Sequence, residues 1–142
     1  MTAILLVSHG TYSKAMLETA EMILGPQSQA AAVGLAPSQS PEDLKAEIRR
    51  AIERLSGSDL LILTDVTSGT PASTIIALSR EYSFRHLTGI NLPLLIEALI
   101  SRQSVPLKDL TASLMQNAVS TFVDVDEMMC KKQESDDSAD DF

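Results

Sequence analysis

A histidine and an aspartate each stand at the end of a hydrophobic run in this chain. His9 comes directly after the run at residues 3–8, and Asp65 closes the run at residues 59–65. A neutral imidazole nitrogen is a good nucleophile near neutral pH, and a carboxylate that accepts the proton of the other ring nitrogen fixes the tautomer. If the two runs are neighbouring strands, His9 and Asp65 have the chemistry to carry a phosphoryl group through a labile N–P bond.

Small polar residues follow both of these residues and offer hydrogen-bond donors for phosphoryl oxygens. Loop amides and the start of a helix hold phosphate well, and a helix is predicted to begin next to Pro71. The catalytic candidates are therefore His9 and Asp65. The phosphate-binding candidates are Gly10, Thr11, Thr67, Ser68, Gly69 and Thr70, with the hydroxyl of Ser13 as a further donor candidate.

Strand and helix patterns alternate along the chain, which is typical of an α/β fold. We predict a doubly wound, mostly parallel four-stranded sheet with helices on both faces. In such sheets ligands bind outside the carboxyl ends of the strands, where His9 and Asp65 fall. The predicted strands are residues 3–8, 30–35, 59–65 and 85–89. The predicted helices are residues 13–24, a helix from Ser40-Pro41 closed by Gly57, a helix from Thr70-Pro71, a helix from Asn91-Leu92-Pro93, and residues 107–119.

The helices predict an aliphatic core, since the chain has no Trp and only 4% aromatic residues. Apolar residues recur at helical spacing in each predicted helix. The helix residues expected to be buried are Met16, Leu17, Ala20, Ile23, Leu24, Leu44, Ile48, Ala51, Ile52, Leu55, Ile75, Ile76, Leu78, Leu95, Ile96, Leu99, Ile100, Leu110, Leu114, Met115 and Ala118.

The charge of the chain is concentrated at its C-terminal end. Of the net charge of −8, residues 124–142 hold −6, from eight acidic residues and two lysines. Apolar content beyond about Lys131 is too low to pack, so we expect one domain at residues 1–125 and a disordered acidic tail at residues 126–142. An acidic chain without a basic patch argues against nucleic-acid binding.

Several other classes of protein and site are disfavoured. No apolar run reaches the ~20 residues that span a bilayer, and no signal peptide precedes the first strand, so we expect a cytoplasmic protein. Cys130 is expected to be a free thiol in a reducing compartment. His86 falls near the start of the fourth strand and is expected to be structural. No metal or cofactor is expected, because two distant histidines do not form a metal site and nucleotide-binding glycine patterns are absent.

Four segments resemble a known family at matching order and spacing. They are Val7-Ser8-His9-Gly10, the helix end at residues 20–25, residues 64–71, and Gly89-Ile90-Asn91-Leu92-Pro93-Leu94-Leu95. They are similar to the IIA domain of the mannose/fructose/sorbose class of the bacterial phosphoenolpyruvate-dependent sugar phosphotransferase system. The resemblance covers about residues 1–125. The loop departs from the family pattern, because Ser68 replaces a glycine and Ala72 replaces the Phe that usually follows the proline.

The resemblance implies a phosphotransferase with a phosphohistidine intermediate. His9 would accept the phosphoryl group at Nε2 from the carrier protein HPr and pass it to a IIB component, while Asp65 bonds Nδ1 and Thr70 helps to hold the phosphate. Association with the membrane components IIC and IID would be indirect. Family members are commonly homodimers that exchange a C-terminal strand, and residues 120–125 are the candidate for this antiparallel strand. Because the chain ends after a short tail, IIB is expected on a separate chain.

Two alternative functions remain open from the sequence. One is the related IIA-like domain of dihydroxyacetone kinase systems, which also carries a histidine after its first strand. The other is a regulatory module that binds partners according to its phosphorylation state. A transfer protein should pass its phosphoryl group quickly to a IIB protein, whereas a sensor should retain it.

Overall fold

Four parallel strands form the centre of the molecule. The computed structural model describes residues 1–55 and 59–140. The strand order is β2-β1-β3-β4, so β1 and β3 are neighbours at the centre of the sheet. The strands are β1 (Ala3–His9), β2 (Ala30–Leu35), β3 (Leu60–Thr64) and β4 (Arg85–Thr88).

Helices pack on both faces of this sheet, as predicted. A short 3-10 helix, Ala118–Thr121, links the last two helices. The helices are α1 (Tyr12–Leu24), α2 (Pro41–Arg54), α3 (Thr70–Leu78), α4 (Leu92–Ser101), α5 (Leu107–Asn117) and α6 (Val125–Asp140). None of the helices in the described ranges is both long and apolar enough to cross a membrane.

The central strand β1 contributes to a separate core on each face. Leu5 and Val7 pack with α2 and α3 on one side, while Ile4 and Leu6 pack with α1, α4 and α5 on the other. All four side chains are buried, which explains the continuous apolar run at this strand. With both faces covered, β1 offers only its carboxyl end to solvent.

The starts and ends of the helices follow local sequence signals. Ser40 Oγ accepts a hydrogen bond from the Asp43 amide, the Asp43 carboxylate accepts one from the Ser40 amide, and Pro41 occupies the first turn of α2. Gly25, at a φ of +86°, ends α1. The expected closure of α2 by Gly57 lies outside the described residues.

Some of the helix residues expected in the core are exposed instead. Ile76, Ile100 and Met115 each follow a buried residue by one position, which places them about 100° further around the helix and beyond the packed stripe. Ile96 and Leu24 are half-buried. The exposed residues that this prediction placed in the core are Ile23 (59%), Ile76 (60%), Ile100 (58%) and Met115 (62%).

The C-terminal segment is largely helical in the single chain. Residues 120–125 form no strand in the single chain, because the 3-10 helix includes residues 120 and 121 and α6 begins at Val125. Their pairing with a second copy of the chain stays a prediction. A helix also occupies the segment where we expected disorder. The Asp124 carboxylate accepts a hydrogen bond from the Glu127 amide, and Glu127 pairs with Lys131 at 2.9 Å, both of which favour helix over the polar coil we expected. Side chains from Phe122 to Asp137 are exposed, so this segment adds nothing to the core.

Candidate active site

The pairing of β1 with β3 brings His9 and Asp65 together. Val7 and Thr64 are opposite each other at the carboxyl edge of the sheet, so the residues that leave the two strands meet there. The Asp65 Oδ2 atom accepts a hydrogen bond from the His9 backbone amide at 2.9 Å and lies 2.7 Å from His9 Nδ1. The carboxylate thus orients both the backbone and the ring of His9.

This contact determines which ring nitrogen is free to react. A carboxylate can only accept, so Nδ1 carries the proton and Nε2 keeps its lone pair in the neutral ring. The His9 side chain is 49% exposed while that of Asp65 is 12% exposed. The orienting group is therefore buried beneath the ring, and the ring is accessible to a partner.

Asp65 is held in its ionised form. Burial alone raises the pKa of its carboxyl, but hydrogen bonds from the His9 amide, the His9 ring and the Val66 amide outweigh burial and lower the pKa. A carboxylate that stays charged continues to accept the Nδ1 proton.

The loop after Asp65 passes directly beside the free nitrogen of His9. Gly69 has a φ of +98°, a conformation that L side chains rarely adopt. A Cβ added there would lie 2.9 Å from both Cε1 and Nε2 of His9. Glycine at this position keeps open the space into which a group bound to Nε2 must project.

The N-terminus of α3 begins at the same place. Gly69 precedes the helix and its carbonyl accepts the Ser73 amide at 3.1 Å. The first backbone amides of a helix have no hydrogen-bond acceptor within the helix. Because Pro71 has no amide hydrogen, the amides of Thr70 and Ala72 are the donors left to bind an anion. Positive helix-end charge beside Nε2 suits a phosphoryl group.

The predicted phosphate-binding residues do not all take the same role. Thr67 and Ser68 are exposed in the loop before Gly69, and Thr70 is half-buried at the start of α3. Thr11 is exposed at the N-cap of α1 and its side chain makes no capping bond. Thr11 lies in the segment that follows His9, and the other three hydroxyl residues lie in the segment that follows Asp65.

Gly10 and Ser13 use their donors within the fold. The Gly10 amide donates to the Leu35 carbonyl at 2.8 Å, and the Ser13 hydroxyl donates to the Val33 carbonyl at 2.9 Å. Ser13 is also buried. Neither donor is free for phosphate in this structure, so the two residues hold the turn after His9 instead.

Tyr12 is a neighbour of the site that the sequence analysis did not single out. Its hydroxyl donates to the Ile90 carbonyl at 2.9 Å and so links the start of α1 to the loop before α4. Burial, together with the negative charge of Asp65, raises the pKa of the phenol. An aromatic residue three positions after a candidate histidine was the available signal.

The remaining candidates lie apart from His9. The half-buried ring of His86 has Nε2 at 2.8 Å from the Thr64 hydroxyl, which agrees with a structural role, and burial lowers its pKa. Cys130 is exposed on α6. Within residues 1–55 and 59–140, no cluster of three or more His, Cys, Asp or Glu side chains is arranged to hold a metal ion.

Comparisons with known proteins identify one family. The sequence model of the family described as "PTS system fructose IIA component" matches residues 3–115. The sorbose-specific EIIA component of Lacticaseibacillus casei is 29% identical over 136 residues, which cover 94% of this chain and 98% of that protein. The mannose-specific EIIAB component of Escherichia coli is 30% identical over 107 residues, which cover 73% of this chain. Those residues span about a third of the EIIAB protein, at 33% of its length.

A solved structure supports the same relationship. The phosphotransferase system component EIIA of Streptococcus agalactiae superimposes with a TM-score of 0.82 at 29% sequence identity. The superposition covers 89% of this chain and 99% of the other. The agreement therefore extends over nearly the whole chain.

Proposed function

The chain belongs to the family of PTS system fructose IIA components, and we propose that it carries a phosphoryl group on His9 Nε2 between two partner proteins. The donor is the phosphohistidine of HPr, and the acceptor is a IIB component. The observation that carries the proposal is the pair of hydrogen bonds from His9 to a single oxygen of Asp65, at 2.9 and 2.7 Å. They leave Nε2 unprotonated and accessible.

The phosphoryl group moves in two nucleophilic displacements, the first onto His9 and the second away from it. The Nε2 lone pair attacks phosphorus, the new N–P bond forms, and the electron pair of the donor's N–P bond returns to the donor nitrogen. The Nδ1 proton stays between His9 and Asp65, whose charge stabilises the positive ring that develops. The second transfer repeats these steps with the IIB residue as nucleophile and His9 as leaving group.

Binding of the phosphoryl oxygens falls to the loop beside His9. We assign the phosphoryl oxygens to the amides of Thr70 and Ala72 at the start of α3 and to the hydroxyls of Thr67, Ser68 and Thr70, the residues on either side of Gly69. Catalysis then consists of positioning and charge stabilisation, since phosphoryl transfer asks little more of the protein. No cofactor enters these steps.

The proposal extends to the setting of the reaction. The protein acts in the cytoplasm as the domain formed by residues 1–125, and it meets the membrane components IIC and IID only through IIB. It works as a homodimer, which would cover apolar side chains such as Val119 and Phe122 that are 82% and 96% exposed in the single chain.

Phosphorylation by the phosphoryl donors of this system tests the proposal. The protein is incubated with phosphoenolpyruvate, enzyme I and HPr, and its intact mass is measured. We expect one added phosphoryl group that is acid-labile, alkali-stable and absent from His9→Ala. Retention of the group in His9→Ala would refute the assignment of the site.

The same experiment, extended by adding a IIB component, tests the proposal against the two alternatives. If HPr becomes phosphorylated and this protein does not, a role in a dihydroxyacetone kinase system or as a sensor replaces the proposal. If the phosphorylated protein keeps its group when a IIB component is added, the sensor function is favoured. Rapid loss of the group to IIB supports transfer.

A further inference from the structure

Gly34 lies in the interior of β2, opposite Ser8 of β1. It is buried, and its own backbone does not require glycine, since its φ lies outside the left-handed region. A neighbouring part of the backbone leaves no room for a side chain there unless that backbone shifts. A Cβ at Gly34 would overlap the Gly10 carbonyl oxygen and lie 3.2 Å from the Gly10 carbonyl carbon. Glycine inside a strand commonly marks such a close backbone approach.

The backbone that approaches Gly34 is the turn that follows His9. Gly10 has a φ of +53°, and its amide donates to the Leu35 carbonyl at 2.8 Å. The Gly10 amide is therefore hydrogen-bonded to Leu35 of β2, and the Gly10 carbonyl lies against Gly34 of the same strand. The turn that carries His9 out of β1 is seated on two consecutive residues of a neighbouring strand.

We propose that Gly34 is a positioning residue for phosphoryl transfer at His9, an inference that rests on the proposed function. A side chain at Gly34 must displace the Gly10 carbonyl, which belongs to the peptide that joins Gly10 to Thr11, and so must shift the Gly10 backbone that directly follows His9. His9 binds Asp65 Oδ2 through its amide and its ring at once, so a shift of the residue next to His9 disturbs both bonds. The ring then loses its fixed tautomer, and Nε2 loses its place beside Gly69.

Gly34→Ala adds the single carbon that tests this arrangement. Ala32→Ser is the matched control, because it adds one heavy atom to the same strand where the side chain borders an open groove between α1 and α2. We expect Gly34→Ala to slow phosphorylation of His9 by at least about tenfold, since displacements of about 1 Å can cost on the order of a hundredfold. Ala32→Ser should stay within about twofold of the wild type, the small effect usual for substitutions away from such features.

Two further measurements separate positioning from general damage. In ¹⁵N NMR spectra, the wild-type His9 ring should show a protonated Nδ1 and an unprotonated Nε2, and Gly34→Ala should show a mixture of tautomers. In the Asp65→Asn background, adding Gly34→Ala should slow transfer by less than about twofold, because both changes act through the same pair of hydrogen bonds.

Three results would overturn the inference. They are a wild-type rate with a wild-type ring spectrum in Gly34→Ala, a full multiplicative effect in the double variant, and failure of Gly34→Ala to fold. Folding should survive because the overlap involves only the turn and not the two cores. If the wild-type protein accepts no phosphoryl group, the proposed function fails, and the ring spectra still decide whether Gly34 positions His9.

Discussion

Asp65 accepts both the backbone amide and the ring Nδ1 of His9 with the same oxygen, Oδ2, at 2.9 and 2.7 Å. The bond to the amide fixes where His9 leaves β1, and the bond to Nδ1 fixes how the ring is turned. Because Asp65 itself directly follows β3, the sheet sets the distance between the two residues. The reactive geometry is thus a consequence of placing β1 and β3 side by side.

Replacing the Asp65 carboxylate with an amide should separate its effect on the His9 ring from a simple loss of the fold. We expect Asp65→Asn to slow phosphorylation of His9 by more than about tenfold, because an amide does not hold Nδ1 protonated and does not stabilise a positive ring. The rate is measured by quenched-flow transfer from phosphorylated HPr. Asp59→Asn, which changes an exposed aspartate just before the other end of β3, is the control and should leave the rate unchanged. Equal rates for the two variants would contradict the role assigned to Asp65.

Gly69→Ala should block the space beside Nε2. The added Cβ would lie 2.9 Å from Nε2 and Cε1 of His9, so we expect loss of at least about a hundredfold in phosphorylation rate. Gly25→Ala is a matched control for backbone strain. Gly25 and Gly69 have nearly the same conformation, with φ of +86° and +98° and ψ of 175° and 177°, and a Cβ at Gly25 meets nothing within 4 Å.

The two glycine variants should therefore lose similar stability and differ in activity. A left-handed extended conformation costs a non-glycine residue on the order of 1–3 kcal/mol. Thermal midpoints measure this loss of stability in the two variants, and phosphorylation rates measure the effect of the contact with His9. If Gly25→Ala were as inactive as Gly69→Ala, strain alone would account for both variants and the contact would be irrelevant.

Most of the fold could be predicted because strong local signals agree with it. The apolar run of β1, the Ser40-Pro41 helix start and the glycine after α1 each appear as predicted. The meeting of His9 with Asp65 also followed, because the usual strand orders place these strands together. Local signals were sufficient wherever one segment determines its own conformation.

The parts that could not be predicted depend on contacts between distant segments. The role of Gly34 depends on how closely the Gly10 turn approaches β2, and the link from Tyr12 depends on where the Ile90 carbonyl lies. Periodicity identifies an apolar stripe on a helix but not the width of the surface that covers it, so Met115 was misplaced. Helix α6 was not predicted, because its polar composition is typical of coil, whereas the Asp124 cap and the Glu127–Lys131 ion pair are local features that favour helix.

The half-buried ring of His86 should make the free energy of unfolding depend on pH. Burial lowers its pKa in the folded protein below the ordinary 6.5, so the unfolded chain takes up a proton at higher pH than the folded chain does. This contribution to stability is complete above pH 6.5 and is lost as the pH falls through 6.5 toward the lowered value. When the pH is lowered from about 8 to about 5, we expect the thermal midpoint of His86→Gln to fall by less than that of the wild type. Identical slopes, or an NMR titration of the His86 ring at its ordinary pKa, would contradict this account.

The exposed phenyl ring of Phe122 should belong to a contact between two copies of the chain. Phe122 is 96% exposed, and Val119 and Val123 in the same segment are 82% and 48% exposed, so the segment presents apolar surface that water solvates poorly. If this segment mediates the homodimer, Phe122→Glu should give a monomer by size-exclusion chromatography with light scattering, because a carboxylate in an apolar interface loses its hydration. Met22→Glu, at an 85% exposed apolar position on α1, is the control and should remain a dimer. A dimer in both variants would place the interface elsewhere, and a monomeric wild type would remove the dimer from the proposal.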